Sequence, residues 1–216
     1  MNRILNRSLL SMIVAAFIAA CANLPGAGSD NPAEDVTSNI DQVDADLRDA
    51  VMQVDAVDAS IDTLLSADGA INPAFERYAK NVEEMERVGE ELEQHADALR
   101  TQGFDYFAEW REQTAEVTNP EVAKISDERH EETRAAFTEL ARSSANVKRT
   151  LQTYISDLRD IETYLSNDLT PAGVKAIQPV AEQAQKDGEA LQKAIEPMIN
   201  ALNKARSTMN LSSVTE

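Results

Sequence analysis

Few residues in this sequence have types and spacing that suggest chemistry. Cys21 is the only cysteine among 216 residues, so it is the only thiol nucleophile. With no second cysteine, the chain forms no internal disulfide and no multi-cysteine metal site. His95 and His130 are the only histidines. Neither has another His or Cys at ligand spacing, and no His-Glu-x-x-His run occurs, so both read as structural or surface residues. Asp41, Asp44, Asp55, Asp58 and Asp62 are dense, but they lie in a helical pattern without the glycine-turned loop of a calcium site. The Glu and Glu-x-x-His sets of di-iron bundles need carboxylates at core positions, and here those positions are apolar. Nucleophile elbow, phosphate loop and dinucleotide fingerprint are all missing. The expectation is a non-catalytic protein without metal or cofactor.

The setting of Cys21 supplies its chemistry. Arg3 and Arg7 precede an apolar stretch from Leu9 to Ile18, the layout of a secretory signal. That stretch is shorter than the ~20 residues of a membrane span. The junction Ile18-Ala19-Ala20-Cys21 resembles a bacterial lipobox. The resemblance implies removal of residues 1–20, a diacylglyceryl group on the Cys21 thiol and acylation of the new N-terminus. Several acyl chains anchor stably where one does not. Ala22 and Asn23 follow, and the absence of Asp there implies an outer-membrane address facing the periplasm. Residues 21–35 are rich in Asn, Pro, Gly and Ser and read as a flexible tether.

Beyond the tether the pattern is helical. Charged residues make up 27% and aromatics 5%, which argues against a sheet protein. The formal net charge is −18, and losing Arg3 and Arg7 makes the remainder more negative still. Such a surface repels nucleic acid and anionic head groups. Apolar residues recur in steps of three and four in four segments, about 35–66, 73–118, 120–169 and 171–209. Thr133, Ala136, Leu140, Ser144, Val147, Leu151, Tyr154, Leu158, Ile161 and Leu165 mark the longest. The Asn72-Pro73, Asn119-Pro120 and Thr170-Pro171 pairs open helices two, three and four. Pro179 and Pro197 fall inside helix four and predict a bend.

Folded as consecutive hairpins, the four stripes share one register. Leu47, Leu92, Val147 and Leu191 make one layer. Ile40, Leu99, Leu140 and Met198 make another. Ala50, Gly89, Leu151 and Gly188 make a third, with three small residues. The expected fold is all-α: an elongated, antiparallel up-down-up-down four-helix bundle with coiled-coil packing over residues 36–209. A long rod that oligomerises is the rival. Residues 210–216 read as a disordered tail.

The layers run out before helices two and three do. A helix 2/helix 3 hairpin, from Phe104 to about Glu132, is expected to project by ~20 Å. It holds Phe104, Tyr106, Phe107 and the only tryptophan, Trp110, with Arg129 opposite the indole. Either these aromatics pack on helix four and plug the bundle end, or they form an exposed tip that binds an envelope protein. Asp105, Glu109, Glu112, Glu116 and Glu121 argue against insertion in a bilayer.

Phe107-Ala108-Glu109-Trp110, Ser126-Asp127-Glu128-Arg129 and Tyr164-Leu165-Ser166-Asn167-Asp168-Leu169 resemble an uncharacterised bacterial family of envelope-targeted coiled-coil proteins. The resemblance covers roughly Phe104 to Ile177 and implies long helices with no established activity. The reading is then a non-catalytic, lipid-anchored periplasmic spacer or adaptor. It meets the membrane through acylated Cys21 and a partner through Phe104, Tyr106, Phe107, Trp110 and Arg129. The alternative is a periplasmic carrier or sensor that takes a ligand into the bundle near Gly89 and Gly188. The oligomeric state is open.

Overall fold

The computed structural model describes residues 32–67 and 69–210. Cys21, the leader, most of the tether and residues 211–216 lie outside them. Four helices follow one another: α1 (Pro32–Leu65), α2 (Ile71–Ala115), α3 (Pro120–Asn167) and α4 (Pro171–Asn210). Each packs on its neighbour in the chain, and α1 also packs on α4, which closes the antiparallel four-helix bundle. The backbones approach most closely within the α1–α2 and α3–α4 hairpins. The α2–α3 and α1–α4 seams are wider.

Each turn has a local cause. After α1, Ser66 Oγ donates to the Asp62 carbonyl at 2.7 Å, and Gly69 takes φ 83°, a left-handed conformation that L side chains avoid. The expected Asn72-Pro73 start of α2 is corrected. The helix begins at Ile71 after Ala70, which makes no side-chain cap, and Pro73 sits in the first turn, where no N–H is required. Asn119 caps α3, accepting from Glu121 N–H at 2.9 Å and Val122 N–H at 3.4 Å. Thr170 Oγ1 accepts from Gly173 N–H at 3.0 Å and opens α4. α4 runs unbroken through Pro179 and Pro197, which are both solvent-exposed, so the lost backbone bonds fall on the wet face.

The core is one continuous apolar column. On α1 it takes Val36, Ile40, Val43, Leu47, Val54, Val57, Ile61 and Leu64, all at most 1% exposed. Tyr78 and Tyr154 are its largest members. Tyr78 Oη donates to the Leu158 carbonyl at 2.8 Å across the bundle, giving a buried hydroxyl the partner it needs. Ser60 and Thr208 bond back to Val57 and Ala205 carbonyls of their own helices. Buried Asp46 accepts from Gln42 Nε2 at 3.0 Å and contacts His95 Nδ1 at 2.6 Å, so His95 serves as a structural partner.

Two details of the register differ from expectation. On α3 it is Ser143, not Ser144, that is fully buried. Gly188 faces Val54 and Tyr154 rather than Ala50, so its layer is offset by one turn. In both glycine layers a large side chain occupies the space a Cβ would take. Leu151 and Ile155 cover Gly89, and Val54 and Tyr154 cover Gly188. Gly89 also lines a surface groove of about 370 Å³ with Glu86, Leu151, Ile155 and Arg159.

One core edge carries an acid with an altered titration. Asp58 is pushed up from 3.8 to about 6, first by burial and then by the charges of Asp55, Asp62 and Glu189. The Tyr154 hydroxyl acts in the other direction. Asp58 Oδ1 and Tyr154 Oη are both buried without a hydrogen-bond partner of ordinary geometry among the described residues. A raised folded-state value means the fold holds the proton more tightly than the unfolded chain does. Its contribution is therefore present below about pH 4 and lost as pH rises through about 6. Asp58 is only half buried, so solvent screening reduces the effect to about 1 kcal/mol. Asp58→Asn should stabilise the bundle by that amount at pH 7 in urea titrations. The advantage should vanish near pH 4; an unchanged difference at both pH values would refute the assignment.

Candidate functional site

The second half of α2 and the first half of α3 build a region where the apolar stripe widens. On α2, residues 100, 103, 104, 107, 108 and 111 recur at helical spacing and share a face beside the core seam. Across the wider α2–α3 seam stand His130, Arg134, Phe137 and Ala141 of α3. Between them lies an apolar trough of about 500 Å³, floored by Leu99, Leu140 and Met198. These three are 5% exposed or less. Ala96, Ala108, Ala141 and Ser144 line the space with short side chains, and the Phe137 ring occupies the place a Cβ on Gly103 would take.

Rings pack at the tip end of the trough. Phe107 stands edge-on to Phe137 at 5.2 Å and to His130 at 5.5 Å between centroids. Trp110 meets His130 at 5.5 Å and Tyr106 at 5.6 Å. The indole is further fixed by a closed chain of hydrogen bonds. Its Nε1 donates to Ser126 Oγ at 2.9 Å, and Thr114 Oγ1 donates to the Trp110 carbonyl at 2.8 Å. Thr114 has spent its one proton there, so the 3.0 Å contact between the hydroxyls has Ser126 as donor. This chain ties the two helices together just before α2 ends at Ala115, three residues short of the expected Thr118.

The five expected tip residues separate into different roles. Phe104 is 64% exposed and lines the trough. Tyr106, Phe107 and Trp110 are half-buried in the ring cluster. Burial raises the Tyr106 phenol, with the Arg129 charge opposing it. Three of these ring contacts join α2 to α3, and Tyr106 also packs against the buried core. Arg129 pairs with Glu132 at 3.2 Å and donates to the Thr208 carbonyl of α4. His130, expected to be a structural or surface residue, stands edge-on to the Trp110 ring.

The projection is also shorter than expected. Asn39 bonds Gln102 and Asp46 contacts His95, a register that sets Pro32 level with about residue 109. α1 begins at Pro32, inside the stretch expected as tether, and so covers α2 past Phe104. The hairpin extends beyond the described end of α1 by roughly 10 Å. Val122 and Ile125, 48% and 60% exposed, lie on this hairpin and were not singled out from the sequence.

Charge around the trough runs against the rest of the molecule. Arg100 and Arg111 stand on the α2 wall and Arg134 on the α3 wall, and no Asp or Glu lines it. Among the described residues no group of three or more His, Cys, Asp or Glu side chains is placed to hold a metal ion. No described helix is long and apolar enough to cross a membrane.

The pattern of the DUF2959 family, described as a protein of unknown function, matches residues 31–209. The chain belongs to this family. The DUF2959 match spans all four helices and so extends well beyond the resemblance read between Phe104 and Ile177. The curated proteins and the solved structures give no match. Membership in DUF2959 brings no activity with it, so function rests on the site.

Proposed function

We propose that the chain is a non-catalytic spacer or adaptor of the bacterial envelope, held at the membrane by acylated Cys21. It docks a partner protein through the α2/α3 hairpin. The observation that supports the docking end is the exposed apolar pair Val122 and Ile125, about one turn apart near the hairpin end, with exposed Phe104 further along α2. Such a grouping on an otherwise acidic surface suits a protein contact. Support for the anchor comes from the Ile18-to-Cys21 junction, and the residues after it favour the outer membrane.

One strain set tests both halves. Cys21→Ser should move the protein from the membrane to the soluble fraction, and membrane retention would refute the anchor. A photo-reactive residue at Phe104 or Ile125 should give one defined intermolecular adduct, while Val180, an exposed apolar residue on α4, gives none. Equal adducts at all three positions would remove the hairpin as the docking surface. The trough favours a second reading, a carrier or sensor bundle that binds an apolar ligand.

A further inference from the structure

We propose that the α2–α3 trough binds a free long-chain fatty acid, with its carboxylate between Arg111 and Arg134 at the end that holds His130. This rests on the carrier or sensor reading and assigns the ligand class. The first argument is shape. A volume of about 500 Å³ falls within the ~300–1,000 Å³ of small-ligand sites. From Ala96 to Arg111 the α2 wall runs ~22 Å, about the length of one extended long acyl chain. A two-chain phospholipid is too bulky for that space.

Charge is the second argument. The sequence holds 38 acids against 20 Lys and Arg, yet the trough is lined by three arginines and no carboxylate. A neutral or cationic amphiphile gives no reason for that selection. Arg134 pairs with Glu131 at 3.2 Å in an exposed contact. Such a pair is worth little and yields readily to a ligand carboxylate. For Arg111 no carboxylate partner is found among the described residues. Guanidinium and carboxylate match in bidentate geometry, which favours this head group.

A third observation comes from His130. It lines the trough, and its Nε2 is buried without a hydrogen-bond partner among the described residues. A buried polar nitrogen left unpaired is costly, and a polar ligand head within reach would satisfy it.

The test is calorimetric titration of the full Cys21→Ser chain with three monomeric twelve-carbon probes. These are dodecanoate, neutral monododecanoylglycerol and dodecyltrimethylammonium. Dodecanoate should bind saturably and about tenfold more tightly than the other two. Arg111→Gln with Arg134→Gln should erase that preference while the neutral probe binds as before. Ala141→Phe, at an exposed wall position, should abolish binding of all three, and thermal melts confirm that each variant folds. If no probe binds, the carrier reading itself fails. If all three bind equally and Ala141→Phe blocks them, the apolar site stands and the fatty-acid assignment fails. Dodecyl phosphate is titrated as a fourth probe, and tighter binding of it than of dodecanoate also overturns the assignment, in favour of a phosphate head. Dodecanoate binding that survives Ala141→Phe places the ligand elsewhere and overturns the site.

Discussion

Leu158→Ala is expected to lower the free energy of unfolding by about 3–5 kcal/mol. Leu158 is fully buried, and Tyr154, Ile161 and Leu165 around it are at most 1% exposed. Helices held in a closed bundle collapse little onto a deleted side chain, so the cavity persists and its cost adds to the lost transfer energy. The site is also stiff, because the Leu158 carbonyl receives the Tyr78 hydroxyl from α2. Urea unfolding with an unchanged slope would report the loss cleanly. A change under 1 kcal/mol would mean that this level is not core. Val180→Ala, at a position 42% exposed, is the matched control and should stay within about 0.5 kcal/mol.

Gly173→Ala is expected to destabilise by about 2–3 kcal/mol, although helix propensity alone predicts a gain near 1 kcal/mol. A Cβ at this position would stand 2.1 Å from the Asp168 carbonyl oxygen and 2.8 Å from Asp168 Cγ. The obstacle is backbone, so no rotamer change relieves it. The turn between α3 and α4 must open, and the Thr170 cap on Gly173 N–H is strained with it. Gly89→Ala is the informative contrast. Its nearest neighbours are the Ile155 and Leu151 methyl ends at 3.0 and 3.3 Å, which have room to shift. A melting temperature raised by Gly173→Ala would contradict the geometry of this turn.

The bundle was legible because its information is periodic. The helix-one and helix-four members of the three expected layers, Ile40, Leu47, Ala50, Gly188, Leu191 and Met198, are all buried. Steps of three and four fix which face turns inward, and Asn-Pro and Thr-Pro pairs fix two of the three turns. The trough was not legible, since it comes from what is absent. Ala96, Ala108 and Ala141 read as ordinary helical residues until the width of the α2–α3 seam is known. The arginines were invisible for a related reason. Arg111 and Arg134 are far apart in sequence and come to one end of the trough only when two antiparallel helices bring residues 107 and 134 about level. Arg129 sat on the predicted seam, but its long side chain reaches the last turn of α4. No basic residue of α4's own meets that turn's negative helix dipole.

The unequal spacing of the helices bears on how the molecule assembles. Its closest contacts lie within the α1–α2 and α3–α4 hairpins, between residues joined by short turns. All three turns are short and close at low entropic cost, so the order of assembly is expected to follow the density of contact, with α1–α2 and α3–α4 pairing first. The expected slow event is the docking of those two hairpins along the wider seams, and core substitutions on the α2–α3 seam should then slow folding less than substitutions within either hairpin. The α2–α3 trough is the part of that docking surface left incompletely zipped once the chain has folded.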